Sequence, residues 1–264
     1  GAEPSNDNLF QLTPSGSAVD CAKFDNQFRI CFSDPNQGAA SAQYIGENKL
    51  ATKVAIIYDS SDVYSSGIHD KFIAEAANQG FEVVADEAFT ADNNTNFSVQ
   101  IQKAQDASAE LVFLPIYYQQ ASLILVQAKQ MGYEPDFFGC DGLDGLLTVE
   151  NFDTSLAEGI MLLTPFAADA QDDLTKNFVA TYKEKYGDIP NQFAADAYDA
   201  VYAIKAAGEK AGITPDMDAS TICDKLKTAM TEVSVDGLTG SGMKWTADGE
   251  PEKAPKAVKI VDGV

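Results

Sequence analysis

"KVAIIYD", residues 53–59, is an apolar, β-branched run with no charge between Lys53 and Asp59, the pattern of a strand buried on both faces. Beyond it the periodicity changes. In "SGIHDKFIAEAANQG" (66–80) Ile68, Phe72, Ile73 and Ala76 recur at helical spacing, and Gly80 reads as the C-cap. The same exchange then repeats. "FEVVADEAF" (81–89) reads as a strand, "NFSVQIQKAQDAS" (96–108) as a helix and "ELVFLPIYY" (110–118) as a strand. "QASLILVQAKQMG" (120–132) is a helix, and "EPDFFGC" (134–140) and "GIMLLTPF" (159–166) are strands. Strands alternating with helices in this way define βαβ units: an α/β fold whose parallel sheet carries helices on both faces.

Outside this region the texture differs. "NLFQLTPSGS" (8–17) and "FRICFSD" (28–34) supply two short strands, followed by a helix at "QGAASAQYIGEN" (37–48). Past Pro165 come three amphipathic helices, "DDLTKNFVATYKEKYG" (172–187), "NQFAADAYDAVYAIKAAGEKAG" (191–212) and "ASTICDKLKTAM" (219–230). A turn-rich return, "GLTGSGMKWTADGEP" (237–251), leads to a last strand, "KAVKIV" (256–261). Three helices need a sheet to cover, and strands to match them are scarce. The expectation is one well-populated sheet domain and a second domain with part of its sheet missing.

The 264 residues carry 40 acidic and 18 basic side chains, a formal charge of −22. Such a chain repels phosphate backbones and anionic membrane surfaces, so nucleic acid is not an expected partner. No stretch approaches the roughly 18 apolar residues of a membrane span. The four cysteines (21, 31, 140, 223) form no CxxC pair, and with His69 as the only histidine a zinc site is not indicated. Cys21 and Cys31 could pair if the segment between them folds back; buried free thiols are the simpler reading for all four.

In an open parallel sheet, ligands sit at the carboxyl ends of the strands. Those ends gather Ser60, Ser61 and Tyr64 in "DSSDVYSSG" (59–67), then Tyr117, Tyr118 and Gln119, then the loop "GCDGLDG" (139–145). An acidic residue in a glycine loop can bind a metal, do acid/base chemistry, hold an ammonium group or cap a helix. Asp59 and Asp62 read equally well as caps, Asp144 reads better as one, and Asp141, directly after the strand, is the stronger functional candidate. Of Tyr117 and Tyr118, alternation on a strand end sends one to the core and one to the cleft. Enzyme readings fare poorly. "DSSDVYSSG" is no GxSxG elbow, His69 reads as a solvated helix-face residue, and neither GxGxxG nor GxxxxGK[ST] is present. A DxxD magnesium site for phosphate chemistry lacks its companion lysine.

"LTPSGSAVD", "FRICFSDPNQG", "KVAIIYDSSDVYSSG", "FFGCDGLDG" and "FAADAYDAVYAI", in that order, resemble consecutive motifs of the type I periplasmic binding proteins. The branch they resemble is that of the branched-chain amino acid (leucine/isoleucine/valine) binding proteins of ABC importers. The resemblance implies a two-lobed fold of parallel sheets flanked by helices, with lobe one incomplete because family members begin with further βα units. Residues 1–30 and 167–243 would be what remains of lobe one, and 31–166 with 244–264 lobe two, with crossovers near Arg29–Ser33, Pro165–Ala167 and Met243–Trp245. It also implies a non-catalytic receptor outside the cytoplasm, in the periplasm or on the cell surface as a lipoprotein. Such a receptor takes no cofactor and passes an amino acid to a membrane permease. A ligand-sensing or regulatory module of the same fold is the alternative.

Ser15, Gly16 and Ser17 match the loop that holds the amino acid's carboxylate and ammonium. Tyr64 matches the tyrosine of a YGxG motif, although Ser65 stands where glycine is usual. Tyr117 matches the aromatic after the third strand of lobe two, and Phe193 one that packs on the ligand side chain. Asp141 falls where the family places an acidic residue, usually glutamate, against the α-ammonium. With lobe one incomplete, these residues alone are expected to bind weakly. Uncovered helix faces are expected to draw in a second copy or a complementing segment. The start, "GAEPSNDNLF", is no signal peptide and reads as processed or truncated.

Overall fold

The computed structural model describes residues 6–253 and 255–263. The chain divides into two units, Gly1–Ser33 with Pro165–Ala254 (unit 1) and Asp34–Thr164 with Pro255–Val264 (unit 2). Residues 1–5, 254 and 264, assigned to lobes above, lie outside the described residues.

Unit 2 is the alternating region. Its strands β3 (Lys53–Asp59), β4 (Glu82–Phe89), β5 (Leu111–Leu114), β6 (Asp136–Gly139), β7 (Met161–Thr164) and β10 (Lys256–Lys259) form one sheet in the order β10-β7-β6-β5-β3-β4. All neighbours are parallel except β10, which runs antiparallel to β7. The period-2 rule sorts the core. Val54 and Ile56 of β3 enter one apolar cluster with Ile45, Ile68 and Phe72, while Ala55 and Ile57 enter the opposite one with Ile101, Ile124 and Leu125. Helices α1 (Asp34–Glu47) and α2 (Val63–Ala76) therefore cover one face, and α3 (Ser98–Asp106) and α4 (Tyr118–Gln130) the other. Gly38 lets α1 lie against α2, since a Cβ there would come within 2.3 Å of the Ile68 carbonyl oxygen.

Proline trims what periodicity alone extends. The strand read at 110–118 ends at Leu114 because Pro115 has no N–H for the ladder, and Pro165 likewise closes β7 at Thr164. Tyr117 and Tyr118 are thus not strand residues: Tyr117 is the extended residue before α4, and Tyr118 opens that helix. α2 ends at Ala76, and Gly80 takes its positive φ in the turn beyond. His69 is not a solvated face residue but is buried. Its ring stacks on Tyr58 at 3.8 Å, and its two nitrogens lie 2.9 Å from carboxylate oxygens of Asp70 and Asp86.

Unit 1 holds α5 (Asp173–Tyr186), α6 (Gln192–Ala211) and α7 (Ala219–Met230). Among the described residues its strands form two pairs, parallel β1 (Gln11–Thr13) with β2 (Gln27–Arg29) and antiparallel β8 (Lys244–Trp245) with β9 (Pro251–Glu252). The core joins Phe28 and Ile30 to Ala200, Ala203 and Ala207 of α6, Leu226 and Met230 of α7, and Trp245. On the other side of α6, Val201 is 63% exposed, with Tyr202 and Ile204 also open to solvent. The third crossover lies later than the sequence reading put it, between Lys253 and Pro255 instead of near Met243–Trp245. Among the bonds that hold residues 244–253 to unit 1, Trp245 Nε1 donates to the Arg29 carbonyl at 2.7 Å, and Arg29 N to the Gly249 carbonyl at 3.0 Å. All four cysteines are free thiols, so Cys21 and Cys31 are not paired.

Candidate functional site

In the sheet of unit 2 the chain runs outward from β3 to β4 and then returns to place β5 on the other side of β3. That reversal is a topological switch point, where strand ends part and leave a crevice. Tyr64 follows β3, Tyr117 follows β5 and Asp141 follows β6, so three of the sequence candidates converge there. The Tyr64 hydroxyl donates to Asp141 Oδ1 at 2.7 Å and accepts from the Gly142 N–H at 2.9 Å, while the Tyr117 ring stacks on Tyr64 at 4.8 Å. Asp141 is 4% exposed and Tyr117 41%, so the cluster presents one open aromatic over a sheltered carboxylate. Gly142 is required by space: a Cβ there would meet the Tyr64 hydroxyl at 2.6 Å and the Ile116 carbonyl at 2.7 Å.

Asp62 caps α2 by accepting from Ser65 N, and Asp59 accepts from the N–H and hydroxyl of Ser61, so both have local roles. Asp144 is not the N-cap residue of the next turn. It ends the short 3-10 turn Asp141–Leu143, and Gly145, with φ 108, precedes the next turn. Two residues of α1 enter the cluster without having been anticipated. The Gln37 side-chain oxygen accepts from Asp141 N at 3.3 Å, and the buried Asp34 adds its charge beside Tyr117. Both sit in "SDPNQG", where the sequence reading ended a strand at Asp34, began a helix at Gln37 and saw a family motif without assigning either residue to the site.

Charge and burial act together on the two tyrosines. Burial, followed by the Asp141 charge, pushes the Tyr64 hydroxyl well above 10.0; burial, then Asp62, Asp141 and Asp34, pushes Tyr117 up to about 12. A hydroxyl whose folded pKa is raised stabilises the fold fully below its unfolded value of about 10 and loses that contribution as pH rises beyond it. Denaturant midpoints are therefore expected to fall above pH of about 10, and Tyr64→Phe to flatten that fall; an equal fall in the variant would show that Tyr64 is not responsible.

The remaining candidates lie in unit 1. The Ser15 hydroxyl faces Asp196 Oδ2 at 3.4 Å, Gly16 N donates to Thr13 Oγ1 at 2.9 Å, and Ser17 is buried. Phe193 is half-buried as the second residue of α6, one turn before Asp196. Asp196 is buried with Lys253, whose Nζ lies 3.7 Å from Asp196 Oδ1, donates to Thr239 Oγ1 at 2.9 Å and sits 5.2 Å above the Phe32 ring. Neither member of that pair was legible in sequence, since they are far apart along the chain. Among the described residues no group of three or more His, Cys, Asp or Glu could hold a metal ion.

The fold is that of an α/β protein whose mostly parallel sheet is flanked by helices. A model of the periplasmic binding protein family matches residues 5–263, and the chain belongs to that family. It is 26% identical over 234 residues to the leucine-, isoleucine-, valine-, threonine- and alanine-binding protein of Pseudomonas aeruginosa, covering 88% of this chain and 61% of that protein. It is 30% identical over 216 residues to Leu/Ile/Val-binding protein homolog 3 of Brucella melitensis, covering 80% of this chain and 57% of that one. Among solved structures, the branched-chain amino acid transporter substrate-binding protein LivJ of Streptococcus pneumoniae, in complex with isoleucine, superposes with a TM-score of 0.86 at 26% identity. That match covers 100% of this chain and 72% of LivJ. The chain thus spans about three-fifths of the length of these two curated relatives.

Proposed function

We propose that the protein is an extracytoplasmic solute-binding protein, not an enzyme, that captures an amino acid for an ABC permease in the membrane. The carrying observation is Asp141, a sheltered carboxylate held by Tyr64 at the switch point beneath the open Tyr117 ring. A zwitterion leaving water needs its ammonium paired and its carboxylate met by several donors, or desolvation outweighs the contacts. Within unit 2, Asp141 is assigned the ammonium and Tyr64 and Tyr117 an apolar, branched-chain side chain; the family resemblance assigns Ser15, Gly16 and Ser17 to the carboxylate and ammonium, and Phe193 to the side chain. The relatives' ligands support that side-chain class.

Titration of the chain with each of the twenty amino acids, followed by amide chemical shifts, tests the reading. Saturable shifts at Tyr64 and Gly142 with leucine, isoleucine or valine are expected, without turnover. No saturation by any amino acid up to about 10 mM would end it. Binding by the 264 residues alone is expected to be weak. The open Val201, Tyr202 and Ile204 face of α6 is expected to associate with a second copy or a complementing segment. Light scattering checks this: a monomer at all concentrations would remove the association.

A further inference from the structure

Among the described residues Arg29 is the largest side chain with essentially no exposure, at 0%. Its guanidinium is spent almost entirely on one loop. Nη1 donates to the carbonyls of Gly16 and Ser17, and Nη2 to those of Ala18 and Val19 at 3.0 and 3.2 Å. Nε lies 3.2 Å from Glu250 Oε1. Four consecutive carbonyls thus converge on one planar cation. Without it their dipoles would oppose one another around the buried Ser17 and half-buried Gly16 and Ala18, and the peptide planes would turn outward to find water. The arginine is itself fixed by β2, through its N–H to Gly249 and its carbonyl to the Trp245 indole.

We infer that Arg29 is the positioning residue of the Ser15–Ser17 loop: its guanidinium sets the peptide planes of Gly16–Val19, and with them the directions of the groups offered to a ligand. The claim about ligand rests on the amino-acid reading above; the claim about the loop does not. A lysine would retain the charge beside Glu250, but a single ammonium with three donors cannot serve four carbonyls in one plane. Glu250, in contrast, touches the cation and not the loop. Burial outweighs the Arg29 charge at Glu250, so its carboxyl stands above the ordinary value.

Amide hydrogen exchange on the full chain, with leucine titration alongside, separates the roles. In the unsubstituted chain the Cys21 N–H, bonded to the Ala18 carbonyl at 2.9 Å, is expected to be protected as strongly as the α7 core amides Leu226 and Ala229. Arg29→Lys is expected to speed exchange at Ser17–Cys21 by roughly tenfold or more relative to those α7 amides, and to weaken leucine at least as much. Glu250→Gln is expected to leave both within about twofold. Loop exchange that follows α7 in Arg29→Lys, or equal effects from the two variants, would mean that Arg29 serves general stability only. If Arg29→Lys does not fold, an unprotected Cys21 amide in the unsubstituted chain still overturns the inference, and a protected one supports it. Absence of leucine binding by the unsubstituted chain would count against the amino-acid reading, while loop exchange would still decide on Arg29.

Discussion

Asp141→Asn is expected to keep the fold and lower affinity for an apolar amino acid by roughly tenfold to a thousandfold. An ammonium–carboxylate contact in a desolvated cleft contributes about 2–4 kcal/mol, which that range expresses. The asparagine oxygen can still accept from the Tyr64 hydroxyl, now at 2.7 Å from Asp141, so the local geometry should persist. What is removed is the charge. Asp144→Asn is the control, because Asp144 ends the same 3-10 turn. Melting curves and leucine titrations of the two variants give the answer. If Asp141→Asn binds like the unsubstituted chain and Asp144→Asn does not, the ammonium has been assigned to the wrong acid.

The alternation around 53–59 is legible because a strand buried on both faces and an amphipathic helix differ in period, and unit 2 follows them element by element. The place of Asp141 just beyond β6 was also readable, since a strand that runs into a glycine loop declares where backbone comes close. The extent of β5 was not read correctly, although Pro115 was visible, because apolar runs outweigh a single missing donor in any periodicity count. The partners of His69 and the allegiance of residues 244–253 lie in contacts between distant segments. Composition carries no trace of those. Arg29 shows the limit most plainly: an arginine in "FRICF" can be a surface charge or a buried fork, and only the four carbonyls brought round to it decide.

Asp199→Ala is expected to be the most destabilising single change in unit 1. Asp199 is 0% exposed on α6 and accepts from Leu238 N and Thr239 N at 2.8 Å each and from Thr239 Oγ1 at 2.7 Å. Its carboxylate thus fastens the 237–240 turn to the helix, and that turn places Thr239 where it receives Lys253 at 2.9 Å. Truncation leaves two backbone donors buried without an acceptor and the hydroxyl with only the Met243 sulfur at 3.8 Å; at about 1–3 kcal/mol per donor before relaxation, a net loss of about 3–5 kcal/mol follows. A fall in melting temperature of roughly 10 °C is the corresponding reading. Asp199→Asn should be milder, since one amide oxygen still accepts while the amide hydrogens oppose the remaining donors. The loss should spread to the loop where Lys253 meets Asp196, and amide exchange at Leu238 and Thr239 should rise before that of β3 in unit 2. An Asp199→Ala protein that melts within about 2 °C of the unsubstituted chain would show that the turn finds other acceptors and that this carboxylate does not hold it.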